Sequence, residues 1–169
     1  MKIIFIAGAL LVMNLTATAQ NPTVSTKYSD EKIESLIQSY HAADAHDIFP
    51  SETLSQKLKK DFPAARDIEW ETAAGIYEAE FEIGWKDYKA YCDADGNLLM
   101  YTFDVRLSEV PDVIKNAAQT KHPDFRLNRD ARKIIKGKKV LYEVTFEKGE
   151  VEIEATFNSN GSFVKEHYD

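Results

Sequence analysis

One cysteine, Cys92, stands in the 169 residues. An intramolecular disulfide is therefore excluded, even in an oxidising compartment. The longest apolar stretch, Ile3 to Met13, falls short of the roughly 20 residues that span a bilayer. No cysteine follows that stretch where a lipid-modified N-terminus needs one. Positive charge is also scarce: 21 Lys and Arg against 28 Asp and Glu give a net charge of −7, which argues against nucleic acid as a partner. There is no glycine-rich phosphate loop, no nucleophile elbow and no metal-ligand spacing, so nothing in the chain points to an enzyme.

What is present begins with export. Lys2, the apolar run and Ala17-Thr18-Ala19 have the layout of a secretory signal peptide cleaved near Ala19, which predicts a periplasmic or secreted product. Loss of Lys2 takes the charge from −7 to −8. A transmembrane anchor is the competing interpretation, and the shortness of the run counts against it.

The chain then shows an internal repeat. Tyr77 to Asp104 and Tyr142 to Asp169 align without a gap at an offset of 65. They share Tyr77/Tyr142, Glu78/Glu143, Phe81/Phe146, Glu82/Glu147, Gly84/Gly149, Ala90/Ala155, Gly96/Gly161 and Asp104/Asp169. Composition alone would give about two such matches, so the match counts as a repeat. Glycine and aromatic positions place each copy as a β-hairpin and a further strand. Gly84-Trp85 and Gly149-Glu150 suit two-residue turns with glycine first. That turn sets the register: Phe81 with Tyr88, Ala79 with Ala90, Tyr77 with Cys92, and Glu80 with Lys89 outside.

Taken in order, residues 20–49 form an N-terminal segment with a helix. Its opening stretch, Asn21 to Lys27, is polar and expected to fray. Ser29 caps a helix over 30–43, with Ile33, Leu36, Ile37 and Tyr40 on one face. His41, Asp44, His46 and Asp47 follow, but the histidine spacing does not suit one helical face, and they are expected to be solvated. Ser51 caps a second helix with Leu54, Leu58 and Phe62 buried, ended by Pro63. Pro111, Ile114, Ala118 and His122-Pro123 answer it at an offset of 60, so five extra residues must lie between Asp124 and Lys139. Ile68 and Trp70 alternate with charged residues in a strand. Asp93-Ala94-Asp95-Gly96-Asn97 lacks glycine at the sixth position of a calcium loop and suits a turn instead. Cys92 lies on the apolar parity of its strand, where a small buried hydrophobe is expected. These elements predict an α+β protein: residues 50–104 and 105–169 as tandem repeats, each a helix and a four-stranded antiparallel meander.

Phe62-Pro63, the Trp70 strand, Tyr77-Glu78-x-x-Phe81 and the Asp93-x-Asp95-Gly96 turn together resemble the PepSY-like domains of exported bacterial proteins similar to β-lactamase-inhibitor protein. The resemblance covers about Pro50 to Asp169. It implies helices packed on one face of the sheet, with the other face free to curve around a partner, and it carries no catalytic residue. Trp70 has no counterpart in the second half, where the two offsets give Asp130 or Ile135, and His122 replaces Phe62.

Three surfaces are candidates for contact. The hairpin tip and its strand, Trp85, Lys86, Asp87 and Tyr88, would offer a partner-binding site if Trp85 is exposed, and a structural plug if the ring folds back. An acidic face carries Glu82 opposite Asp87, and Glu147 opposite Glu152; it either attracts a cation or basic partner or is simply solvated. A basic run includes Arg132, Lys133, Lys136, Lys138 and Lys139, which makes the chain bipolar and suits self-association or an anionic envelope component, or else a solvated hairpin. The expected function is an exported, non-enzymatic binding module for a protein, peptide or other envelope ligand, inhibitor-like in form. The alternatives are a self-associating envelope structural or stress protein and a cation-binding protein. No metal or cofactor is expected, and no transmembrane anchor after signal cleavage.

Overall fold

Period-two alternation over most of the chain produces strands, and in the computed structural model these join into one sheet. The structure describes residues 22–168; the leader and its cleavage site lie outside them. Nine antiparallel strands run in sequence order across the sheet: β1 (His46–Asp47), β2 (Arg66–Ala73), β3 (Ile76–Ile83), β4 (Lys86–Cys92), β5 (Leu98–Arg106), β6 (Arg126–Lys136), β7 (Lys139–Lys148), β8 (Val151–Asn158) and β9 (Phe163–Tyr168). Three helices accompany them: α1 (Asp30–His41), α2 (Glu52–Asp61) and α3 (Asp112–Lys121). The fold is α+β, with α2 preceding β2–β5 and α3 preceding β6–β9.

The helices start and stop where their sequences dictate. Ser29 and Ser51 accept hydrogen bonds from the Lys32 and Leu54 amides, and acidic residues fill the first turns. Phe62 and His122 end α2 and α3 in nearly the same conformation, φ −128 with ψ 71 and 72, each followed by proline.

Hairpin register follows the turns. Gly84 sits at φ +68 and Trp85 does not take a positive φ, as a glycine-first two-residue turn requires. Phe81 therefore faces Tyr88, Ala79 faces Ala90 and Tyr77 faces Cys92.

One sheet face carries both α2 and α3. Leu54, Leu58 and Phe62 pack on Trp70, Ala79, Phe81 and Ala90, while Ile114 and Ala118 pack on Val144, Phe146, Ala155 and Phe157. Phe103 belongs to both clusters and joins them. Helix α1 lies on the opposite face. Its Ile33, Ile37 and Tyr40 cover Ala73, Ile76, Tyr91, Leu99 and Met100. That face is thus covered over β2–β5 and open toward β9, which narrows the surface that the resemblance leaves free.

Two expectations need correction. The N-terminal stretch does not fray: Val24 is buried in the α2 cluster, and the Ser25 amide donates to the Leu98 carbonyl at 2.7 Å. Nor does Glu78 face solvent with Glu80 and Glu82. It is 6% exposed because α1 covers its side of the sheet.

The position of Trp70 is taken in the second half by Ala131, which pairs with Val144 as Trp70 pairs with Ala79. One of the five extra residues falls in the β6 bulge between Leu127 and Ala131, and the other four lengthen β6 and β7 by two residues each. The lengthened hairpin reaches α1, where Lys136 bonds Glu34 and Lys139 lies 3.0 Å from Asp30.

Candidate functional site

The β3–β4 turn places Gly84 at positive φ, and Trp85, the next residue, points its ring outward. The ring is 62% exposed, so it does not fold back onto the sheet or a helix. Lys86 Nζ and Arg106 Cζ lie 4.9 and 5.0 Å from its centroid, close enough for cation–π attraction. The support beneath is stiff. Arg66 donates to the Gly84 carbonyl at 3.3 Å, and Lys86 bonds Glu109 at 2.9 Å. Glu109 in turn accepts from the Arg106 amide at 3.0 Å. These bonds hold Glu109's carboxyl below its usual range, the Lys86 hydrogen bond contributing most. Asp87 is exposed beside the turn. Tyr88 serves differently: it stacks between Phe81 and Phe103, at 5.5 and 4.9 Å, as part of the core that anchors the tip.

The like-charged pairs are present as the register demands, Glu82 with Asp87 and Glu147 with Glu152. Arginine flanks both: Arg66 lies opposite Glu82, and Arg126 bonds Glu147, which Asn128 also holds at 2.6 Å. Strand alternation scatters the basic run. Arg132 and Lys136 point to the α1 face, the first 3.5 Å from Asp104 and 3.4 Å from Glu143, the second on Glu34. Lys133 points to the other face, over Phe103 and Tyr142. Lys138 is exposed in the turn, and Lys139 pairs with Asp30.

Two groups were not marked out by sequence. Glu78 lies 3.2 Å from Lys89 beneath α1, and burial together with its charge pushes the Tyr40 and Tyr91 phenols up. The Asp93 carboxylate accepts from the Asp95 and Asn97 amides, the Asn97 side chain, Lys27 and Tyr28, at 2.8 to 3.0 Å. Burial alone would raise its pKa; these bonds outweigh burial and bring it to about 2. The turn set aside as a calcium loop thus ties down the N-terminal segment. Cys92 is buried, donating to the Tyr77 carbonyl at 3.6 Å, and burial pushes its thiol up to about 12.

A cleft of about 280 Å³ opens between α1 and the uncovered part of the sheet, lined in part by Ile37, Tyr91, Met100, Ile134, Leu141 and Lys165. Among the described residues, no group of three or more His, Cys, Asp or Glu is placed to hold a metal ion, and no helix is long and apolar enough to cross a membrane.

No protein-family model matches the chain. No curated protein matches it either. Solved structures do. A candidate periplasmic protein from Bacteroides eggerthii superposes with a TM-score of 0.65 at 19% identity, over 72% of this chain and 90% of its own. A DUF2874 family protein from Bacteroides uniformis gives 0.64 at 18%, over 71% and 90%. A BLIP-like protein from Bacteroides fragilis gives 0.62 at 22%, over 72% and 87%. At such identities the likeness is one of fold, and the fold of this chain is the one found in BLIP-like and DUF2874 family proteins.

Proposed function

We propose that the chain is an exported, non-enzymatic binding module of two tandem repeats, residues 50–104 and 105–169, that grips a protein of the cell envelope through the Trp85 hairpin tip. The exposed Trp85 ring, flanked by Lys86 and Arg106, carries this reading. An aromatic left 62% in water on a braced turn is a ready anchor, since tryptophan and arginine dominate binding hot spots. Two cations against the ring favour a partner pocket that is apolar within and carboxylate-rimmed. Export is supported by the leader-like N-terminus and by the fold shared with a candidate periplasmic protein. The inhibitor-like form of binding rests on the fold shared with a BLIP-like protein. The repeat is supported by the offset of 65 and by the matching ends of α2 and α3.

The test compares immobilised wild type with Trp85→Ala in capture from envelope extract. Loss of a hot-spot anchor costs about 2 kcal/mol, roughly 30-fold in affinity. The partner retained by wild type should wash off the variant, while the thermal midpoint stays put. Equal retention by both proteins rules out the tip.

A further inference from the structure

The register lays side chains in rows across the uncovered sheet face. Asp104, Arg132, Glu143, Thr156 and Lys165 form one row from β5 to β9. Lys89, Thr102, Ile134 and Leu141 form the next, toward α1. Together with α1 these rows enclose the 280 Å³ cleft.

Its lining divides by chemistry. Tyr91, Met100, Ile134 and Leu141 give an apolar floor, and Lys89, Arg132, Lys136 and Lys165 stand around it. Lys89 and Lys136 are paired with Glu78, Glu80 and Glu34. Arg132 reaches its carboxylates only at 3.4 and 3.5 Å, and Lys165 has none within 4 Å among the described residues. Of the carboxylates that line the cleft, Glu34 is bonded by Lys136 and also feels the charge of Lys165, and Glu143 shares Arg132 at 3.4 Å.

Thr102 and Thr156 are the informative residues. They are 7% and 2% exposed, line this cleft, and make no side-chain hydrogen bond among the described residues. Every fully enclosed polar side-chain atom among those residues is bonded, so the two hydroxyls open on the cleft itself. Hydroxyls that face a cleft without a protein partner are free to bond water or a ligand seated beside them.

We propose that this cleft binds a small aliphatic monocarboxylate, its chain on Tyr91, Met100, Ile134 and Leu141 and its carboxylate held by Lys165, Arg132 and the Thr156 hydroxyl. The volume lies near the lower end for small-molecule sites, about 300 Å³ and upward, which selects a short chain over a membrane lipid. The apolar floor rejects a bare inorganic anion, and the cations reject a neutral alcohol.

Calorimetric titration with sodium octanoate tests the site. One saturable equivalent is expected, at least tenfold tighter than octan-1-ol. Lys165→Met, on the exposed last strand, should weaken octanoate about tenfold or more, and Thr156→Val several-fold. Trp85→Ala should leave octanoate binding unchanged, which separates this site from the hairpin tip. Octan-1-ol binding as tightly as octanoate, or Lys165→Met binding like wild type, overturns the proposal. N-acetylleucine binding more tightly than octanoate overturns the assignment of an aliphatic acid in favour of a peptide C-terminus. Because Lys165 is exposed, its variant carries the test even where Thr156→Val does not fold.

Discussion

Replacing Asp93 with asparagine removes one charge from the bonds that fasten the N-terminal segment to the β4–β5 turn. The carboxyl has a folded pKa of about 2 against its usual 3.8. Since each pKa unit is worth about 1.4 kcal/mol, ionised Asp93 contributes about 2.5 kcal/mol at neutral pH. Its pKa is lowered by folding, so this stability is fully present above 3.8 and is lost as pH falls through about 2. Asp93→Asn should therefore unfold in urea with ΔG lower by about 2 kcal/mol at pH 7, and its deficit should shrink toward zero near pH 2. A chain of this size should lose roughly 5–8 °C in thermal midpoint at neutral pH. Lys27 would keep only Asp95, at 3.1 Å, and Tyr28 would lose its charged acceptor, so cleavage by trypsin after Lys27 should accelerate in the variant. A deficit that is the same at pH 7 and pH 2.5, or one below about 0.5 kcal/mol at pH 7, would refute the assignment of the lowered pKa to these hydrogen bonds.

Two glycines separate backbone strain from helix docking. Gly84 and Gly137 both have positive φ, 68 and 58, but a Cβ on Gly84 meets nothing, whereas one on Gly137 meets the Asp30 carboxylate of α1. Gly84→Ala should cost the strain alone, about 1–2 kcal/mol, and Gly137→Ala the same strain plus the turning aside of the Asp30 carboxylate from Lys139; a Gly137→Ala variant more stable than Gly84→Ala in urea would refute the contact. Cys92, with its thiol pushed up to about 12 inside the core, should resist a thiol-disulfide reagent at pH 8 until urea unfolds the chain, and rapid labelling of the native protein would contradict its burial.

Much of this architecture is legible because turns fix register. Gly84 and Gly149 determine which residues meet across two hairpins, and the paired carboxylates Glu82/Asp87 and Glu147/Glu152 follow directly. The side of the sheet that α1 takes is less accessible, since an apolar helical stripe states that a face is buried but not against what. A signal did exist. Tyr91-Cys92 and Leu98 to Tyr101 are apolar at both parities, the mark of strands covered on both faces. Buried Glu78 follows from that cover and has no pattern of its own. The same holds for Asp93, whose partners Lys27 and Tyr28 lie 66 and 65 residues away. Alternation implies the dispersal of the basic run but not its partners, because Asp30 and Glu34 reach it only through folding. The cleft likewise exists only once α1 is in place. Trp85 stood out from sequence because it lies at a turn where the segment aligned at an offset of 65 has Glu150.

The lengthened β6–β7 hairpin has a consequence for unfolding. Helix α1 rests on β2–β5, yet its ion pairs reach across to the turn of the second meander. Detaching α1 would therefore strip cover from the first meander and break both ion pairs to the second at once. The two halves, each with its own core, are in this way coupled into a single cooperative transition. Four residues of strand, two on each side of one hairpin, thus add to the coupling that Phe103 and the β5–β6 ladder provide.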